Sequence, residues 1–180
     1  RLLAACGVLP VPDAILTLAD TLIGQGLGPA ELQQLRQHMA QLQLAQGEWL
    51  FRAGDPGDAL YVSLRGDIGL RLPGTGRRLA SFAPGVNVGE MSVLDGQRRS
   101  ADAIAETDLV LLRLAAVDFH RLLAEHPALG ARVTQNIALY LAGRLRVVTT
   151  ELSGWMSRAQ AGSGLGVEPD DPDWDGLRQP

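Results

Sequence analysis

Between Gly47 and Leu114 the chain leaves the three-to-four-residue apolar spacing of its flanks for an alternating pattern, and that change of period restricts the folds open to it. Leu60, Val62 and Leu64 alternate with Tyr61, Ser63 and Arg65, Gly66-Asp67 makes a turn, and Ile68, Leu70 and Leu72 resume the alternation as a hairpin would. Asp55-Pro56-Gly57-Asp58 reads as a second turn, with Pro presetting φ and Gly free to take a positive one. A strand over Leu109 to Leu114 closes the region. Many short strands with Gly-rich turns between helical flanks predict a mainly β fold with helical flanks (α+β), a β-roll or jelly roll.

The flanks carry the helical period. Asp13 is the expected N-cap of a first helix in which Ile15, Leu18, Ala19 and Leu22 recur; Gly28-Pro29 opens a second, with Leu32, Leu35, Met39 and Leu42 as its stripe. Phe119, Leu122 and Leu123 mark another helix that Pro127 interrupts. A longer one follows, striped by Leu129, Val133, Ile137, Leu141, Leu145, Val148 and Leu152. The expected organisation is a helical flank or linker from a preceding domain over 1–27 and one domain over 28–152, with the roll at 47–114 and helices at 116–152. A Gly-, Ser-, Pro- and Asp-rich tail, expected to be flexible, covers 153–180. The stripe over 129–152 needs a partner surface and could serve as a homodimer seam.

Composition narrows the function. Net charge is -4 and the 16 basic residues, all Arg, are scattered, so direct nucleic-acid binding, which rests on clustered phosphate contacts, is not expected. The lone Cys6 forms no internal disulfide, as in a reducing cytoplasm, and no apolar run approaches the roughly 20 residues of a membrane span. His38, His120 and His126 fall in helical segments rather than on converging strands, and no nucleophile-His pair is indicated, so neither a metal site nor an enzyme is expected. The chain opens on Arg1 and reads as a piece of a longer protein, the cytoplasmic part of a membrane protein among the possibilities.

One segment breaks the strand rhythm: Pro84-Gly85-Val86-Asn87-Val88-Gly89-Glu90-Met91-Ser92, continuing to Arg98-Arg99-Ser100-Ala101. A short helix opened by Gly89-Glu90 would aim unpaired N–H groups at an anion, and Arg99 would add a planar fork able to bond two phosphate oxygens. An ionised carboxylate such as Glu90 only accepts hydrogen bonds, so it suits a ribose hydroxyl rather than a phosphate. Read singly, Gly89 is a tight turn, Glu90 caps a helical turn, and Arg99 is half of a structural ion pair.

Together, and with the Gly54-Asp55 and Gly57-Asp58 turns, Leu60-Tyr61-Val62, Gly66 and Pro84-Gly85, these residues resemble the cyclic-nucleotide-binding domain family from about Leu32 to about Leu145. The resemblance implies a regulatory module without catalysis that binds a cyclic nucleotide, cAMP rather than cGMP, through Gly89, Glu90, Met91, Ser92, Arg99, Ser100 and Ala101. It implies control of attached domains of a larger protein; a degenerate roll serving as a structural or interaction module is the alternative. Arg98 stands where the family usually has Pro, and Val88 replaces an aromatic. Asp102, if it lay near the pocket, would weaken an anionic ligand. The flank Leu2-Leu3-Ala4-Ala5-Cys6-Gly7 with the helix after Asp13 is similar to the end of a STAS domain, which implies an anion transporter as the parent.

Overall fold

The computed structural model describes residues 15–162, with side chains through Met156. Eight strands form two antiparallel sheets. The first joins β1 (Met39–Leu44), β8 (Leu109–Ala115), β3 (Ala59–Arg65) and β6 (Asn87–Val88) in that order. The second joins β2 (Trp49–Phe51), β7 (Asp102–Ala105), β4 (Ile68–Arg71) and β5 (Arg78–Phe82). Alternation explains the roll: Ala59, Tyr61, Val88, Leu109 and Leu111 of the first sheet meet Ile68, Ala103 and Ala105 of the second in one apolar core.

The opposite face of the first sheet carries Leu60, Val62, Leu112 and Leu114, each at most 1% exposed. Helices supply the matching apolar surface: Leu35 of α1 (Pro29–Gln37), Phe119 and Leu122 of α3 (Ala116–Glu125), and Leu129, Val133 and Ile137 at the start of α4 (Pro127–Gly162). Pro127 separates α3 from α4, as its missing N–H and fixed φ require. The chain divides into two compact units after Ala138, so the remainder of α4 stands as its own unit.

Three expected elements differ. The stripe Leu32, Leu35, Met39, Leu42 crosses a helix-strand junction: α1 ends at Gln37, and Met39 and Leu42 belong to β1, opposite Leu114 and Leu111. The roll therefore starts at Met39 rather than Gly47, because pairing with β8 overrides a spacing that both periods share. The expected helix through Ile15 and Leu22 is instead two 3-10 turns, Leu18–Asp20 and Leu22–Gly24. Its hydroxyls compete with helix continuation: Thr17 donates to Asp20 through N (2.9 Å) and Oγ1 (2.6 Å), and Thr21 Oγ1 donates to the Leu18 carbonyl at 2.6 Å. Finally, α4 runs to Gly162, past the expected end at 152; Ser153 stays in it by donating Oγ to the Thr149 carbonyl at 2.8 Å. Asp13, the segment Leu2 to Gly7 and the tail from 163 lie outside the described residues.

Polar contacts bind the start of α4 to this N-terminal segment. Asn136 Nδ2 donates to the carbonyls of Ile23 (3.1 Å) and Gln25 (2.9 Å). Arg132 donates to both Glu31 carboxylate oxygens at 2.8 Å and to the Gly26 carbonyl. Glu31 also accepts from the Gly28 amide at 2.7 Å, and that bond, ahead of Arg132, holds its carboxyl below the usual value; the Thr17 hydroxyl and amide do the same for Asp20. A carboxyl depressed in the folded state stabilises above its unfolded pKa, about pH 4, and that contribution is lost as pH falls through the folded value. In an NMR titration the Gly28 and Thr17 amide protons are expected to keep their bonded shifts at about pH 4 and to move only on further acidification. Midpoints at the free-carboxylate value would contradict this.

Candidate functional site

The site is built where β6 turns into α2 (Glu90–Asp95). Gly89 makes that turn at φ 80°, a left-handed conformation that strains any residue with a Cβ. It is also needed for space: a Cβ there would lie 2.4 Å from Arg99 Nη1. The sequence reads this glycine as a tight turn opening the helix; in the structure the group that approaches it is the Arg99 guanidinium.

Arg99 is 3% exposed. Its Nη1 donates to the Gly89 carbonyl at 2.9 Å, and Nη2 to the Ala59 carbonyl at 2.6 Å and to Asp58 Oδ1 at 3.4 Å. The guanidinium carbon stands 4.3 Å from the centre of the Phe51 ring and 5.9 Å from that of Tyr61. Burial pushes its pKa below the ordinary arginine value, with Tyr61 and Asp58 opposing. Asp58 also accepts from Arg113 Nη2 at 2.9 Å. Burial of Arg113 would lower its pKa, yet hydrogen bonds with Tyr61 and Asp58 outweigh that and raise it.

The turn after β2 clamps the end of the segment. The Gly54 amide donates to the Arg99 carbonyl at 2.8 Å, the Arg99 amide to the Asp55 carbonyl at 3.0 Å, and Arg98 Nη1 to the Gly54 carbonyl at 2.6 Å. Arg98 thus supplies by hydrogen bonding a fixation that a proline would supply by its ring. Gly57 lets the turn close on α2, since a Cβ on it would come within 2.2 Å of Ser92 Cβ.

The other expected residues fall around this centre. Glu90 opens α2 and is 2% exposed, Ser92 is buried with its hydroxyl 3.4 Å from the Arg98 carbonyl, and Ala101 is 9% exposed. Ser100 is exposed beside Arg99, and Met91 is half-exposed. Asp102 is not a pocket residue: Ala103 and Ala105 face the core, so Asp102 faces the other side of its sheet, where Oδ1 accepts from the Ala53 amide at 2.7 Å. The sequence reading missed Phe51 and Arg113 and saw Asp58 only as a turn residue; the first two lie on strands β2 and β8 and the third in the turn before β3, and nothing local tells that they converge on Arg99. Among the described residues no group of three or more His, Cys, Asp or Glu could hold a metal ion, and no helix is long and apolar enough to cross a membrane.

A two-sheet roll whose crossover carries a buried arginine beside a Gly-Glu helix start defines a class of small regulatory ligand-binding modules. Residues 41–126 match the family model described as "Cyclic nucleotide-binding domain". The N-terminal domain of a transcriptional regulator from Streptomyces coelicolor superposes with a TM-score of 0.61 at 32% identity, over 71% of this chain and 94% of that one. The Cyclic AMP receptor protein of Thermus thermophilus is 38% identical over 71% of this chain and 58% of its own length. Glutaminase 1 of Bradyrhizobium diazoefficiens is 33% identical over 75% of this chain and 22% of its own length. The chain belongs to the cyclic nucleotide-binding domain family, and it spans little more than half of the first of these two longer proteins and under a quarter of the second.

Replacing Gly89 by Ala is expected to destabilise the domain by about 1–2 kcal/mol from the left-handed backbone alone, with a further loss as Arg99 is displaced. Urea unfolding measures this, and a midpoint equal to the wild type would contradict the assigned packing.

Proposed function

We propose that this chain binds a cyclic nucleotide, cAMP in preference to cGMP, and relays the event to an attached domain of the protein it belongs to. The carrying observation is the Arg99 guanidinium, 3% exposed and backed by Phe51, whose carboxylate neighbour Asp58 is 3.4 Å away and itself 60% exposed. A singly charged cyclic phosphate complements such a group better than a distant, solvated carboxylate. In this reading Arg99 and Ser100 hold the phosphate, Glu90 accepts from the ribose 2′-hydroxyl, Gly89 leaves room for Arg99, and Met91, Ser92 and Ala101 complete the wall. No catalysis is assigned to the chain itself; its compartment is the cytoplasm.

Titration calorimetry with cAMP and cGMP tests this directly. Loss of Arg99 in Arg99→Ala is expected to weaken cAMP binding by about 2–5 kcal/mol, the scale for leaving a desolvated charge unpaired. A second reading, a roll kept for structure or protein interaction, is favoured by the bonds that Arg99 already makes to the Gly89 and Ala59 carbonyls. A well-folded protein that gives no heat with either nucleotide would support that reading instead.

The regulated domain is a further proposal. The anion-transporter reading rests on the likeness of Leu2 to Gly7 and the following segment to a STAS end, while Glutaminase 1 is a longer relative that the chain matches over 22% of its length. Pairing of two copies has its own support in the second unit. Leu141, Leu145, Val148, Leu152 and Trp155 keep the alternating four-three spacing of a coiled-coil seam, and Leu145 and Val148 are 67% and 53% exposed. The double variant Leu145→Asp, Val148→Asp is expected to sediment as a monomer where the wild type sediments as a dimer; a wild-type monomer would remove this proposal.

A further inference from the structure

We infer that Asn87 biases the domain against the packing in which Arg99 bonds its own chain, and so sets how readily Arg99 is released to a ligand's phosphate. The inference rests on the reading that the segment from Gly89 to Ala101 binds a cyclic nucleotide.

Val88 belongs to the roll core, so its neighbour Asn87 faces the opposite, helix-covered side of the sheet, where it pairs with the fully buried Val62. Asn87 is 0% exposed, and neither Oδ1 nor Nδ2 has a hydrogen-bond partner. A side-chain amide has two donors and two acceptor lone pairs, and leaving them unanswered in an apolar setting penalises whichever packing does so. Strand β6 pairs with β3 at two residues, just after Gly85 and Val86 bond Ser63, and the residue after it is Gly89, whose carbonyl accepts from Arg99 at 2.9 Å. The penalty at Asn87 and the self-bonded Arg99 are therefore features of one short segment.

Relief is close at hand. The Leu22 amide donates to the Gly85 carbonyl at 2.9 Å, and a Cβ on Gly85 would lie 3.4 Å from the Asp20 carbonyl, so the 3-10 turns cover this end of β6. Their main-chain carbonyls, among them that of Asp20, are the polar groups that the structure places beside the residues leading into β6. When phosphate takes Arg99, the Gly89 carbonyl loses that donor, β6 is freed to move, and the Asn87 amide gains partners in the turns. The same turns present the Ile23 and Gln25 carbonyls to Asn136 of α4, so the shift reaches the helix layer. A residue that penalises one of two packings favours the ligand that selects the other.

Asn87→Val and Asn87→Leu, two apolar replacements of which one suits a strand and the other matches Asn in shape, test this on the full chain. Both remove the penalty only where it exists. Urea unfolding without nucleotide is expected to show a higher midpoint for each, while calorimetry is expected to show cAMP binding at least tenfold weaker than for the wild type. These opposite signs are the signature, because a purely structural asparagine would move stability and affinity together. A lower midpoint in both variants, or a higher midpoint with unchanged cAMP affinity, would overturn the inference alone. A wild type that gives no heat with cAMP removes the underlying reading and this inference with it.

Discussion

A guanidinium with almost no access to water draws its partners from its own protein, and the geometry around Arg99 follows from that requirement: both terminal nitrogens are bonded, while the buried Nε is not. Arginine does not escape the cost of burial by giving up its proton, as lysine can. Two carbonyls, one carboxylate and an aromatic face surround it, and they come from β3, the β6–α2 turn, the turn after β2, and β2 itself. Since β2 belongs to one sheet and β3 and β6 to the other, the arginine ties together the two layers of the roll. The apolar core holds those layers in contact, but its forces are non-directional and do not fix where one loop sits against another. Directional bonds to Arg99 do.

That division explains the glycines. Gly89 and Gly57 lie at the two places where backbone must come so close to another group that a Cβ would overlap it, one against Arg99 and one against Ser92. The first admits the charge, and the second brings the turn that supplies Asp58. Arg98 belongs to the same arrangement, since its bond to the Gly54 carbonyl reinforces the pair of backbone bonds between that turn and Arg99. The segment that would hold a phosphate is thus fixed from outside the roll by one turn and from inside by one side chain.

Much of this was legible in the sequence. The alternation from Leu60 to Leu72 and the Leu109–Leu114 strand marked out the roll, and the Gly89-Glu90 and Arg99-Ser100 pairs marked out the candidate site, because period and turn chemistry are local properties. What failed was non-local. Met39 and Leu42 carry a spacing that serves a helix or, by alternate residues, a strand, and only the facing strand β8 decides between them. Thr17 and Thr21 convert a helical pattern into two 3-10 turns through side-chain bonds that hydropathy does not register. Whether Asp102 lies near Arg99 in space as it does in sequence is likewise non-local, and the alternation of β7 turns it to the side of its sheet away from the core. Phe51 and Arg113 are 48 and 14 positions from Arg99, and no window on the sequence brings them to it.

Asp58 shows how such a site can be felt elsewhere in the domain. Its carboxylate stands between Arg99 and Arg113, while its backbone carbonyl accepts from the Ala116 amide at 2.8 Å, at the first residue of α3. A ligand that competes for Arg99 would therefore alter the balance of a residue that also anchors the start of the C-terminal helices. The second route runs through the N-terminal segment, from Gly85 to Leu22 and from Ile23 and Gln25 to Asn136. Contiguity of this kind does not by itself amount to coupling; coupling needs a helix layer with two arrangements of different affinity. What the fold supplies is leverage: one route ends on the first residue of α3 and the other on Asn136, further along α4, on either side of Pro127, where the chain passes from one helix to the next.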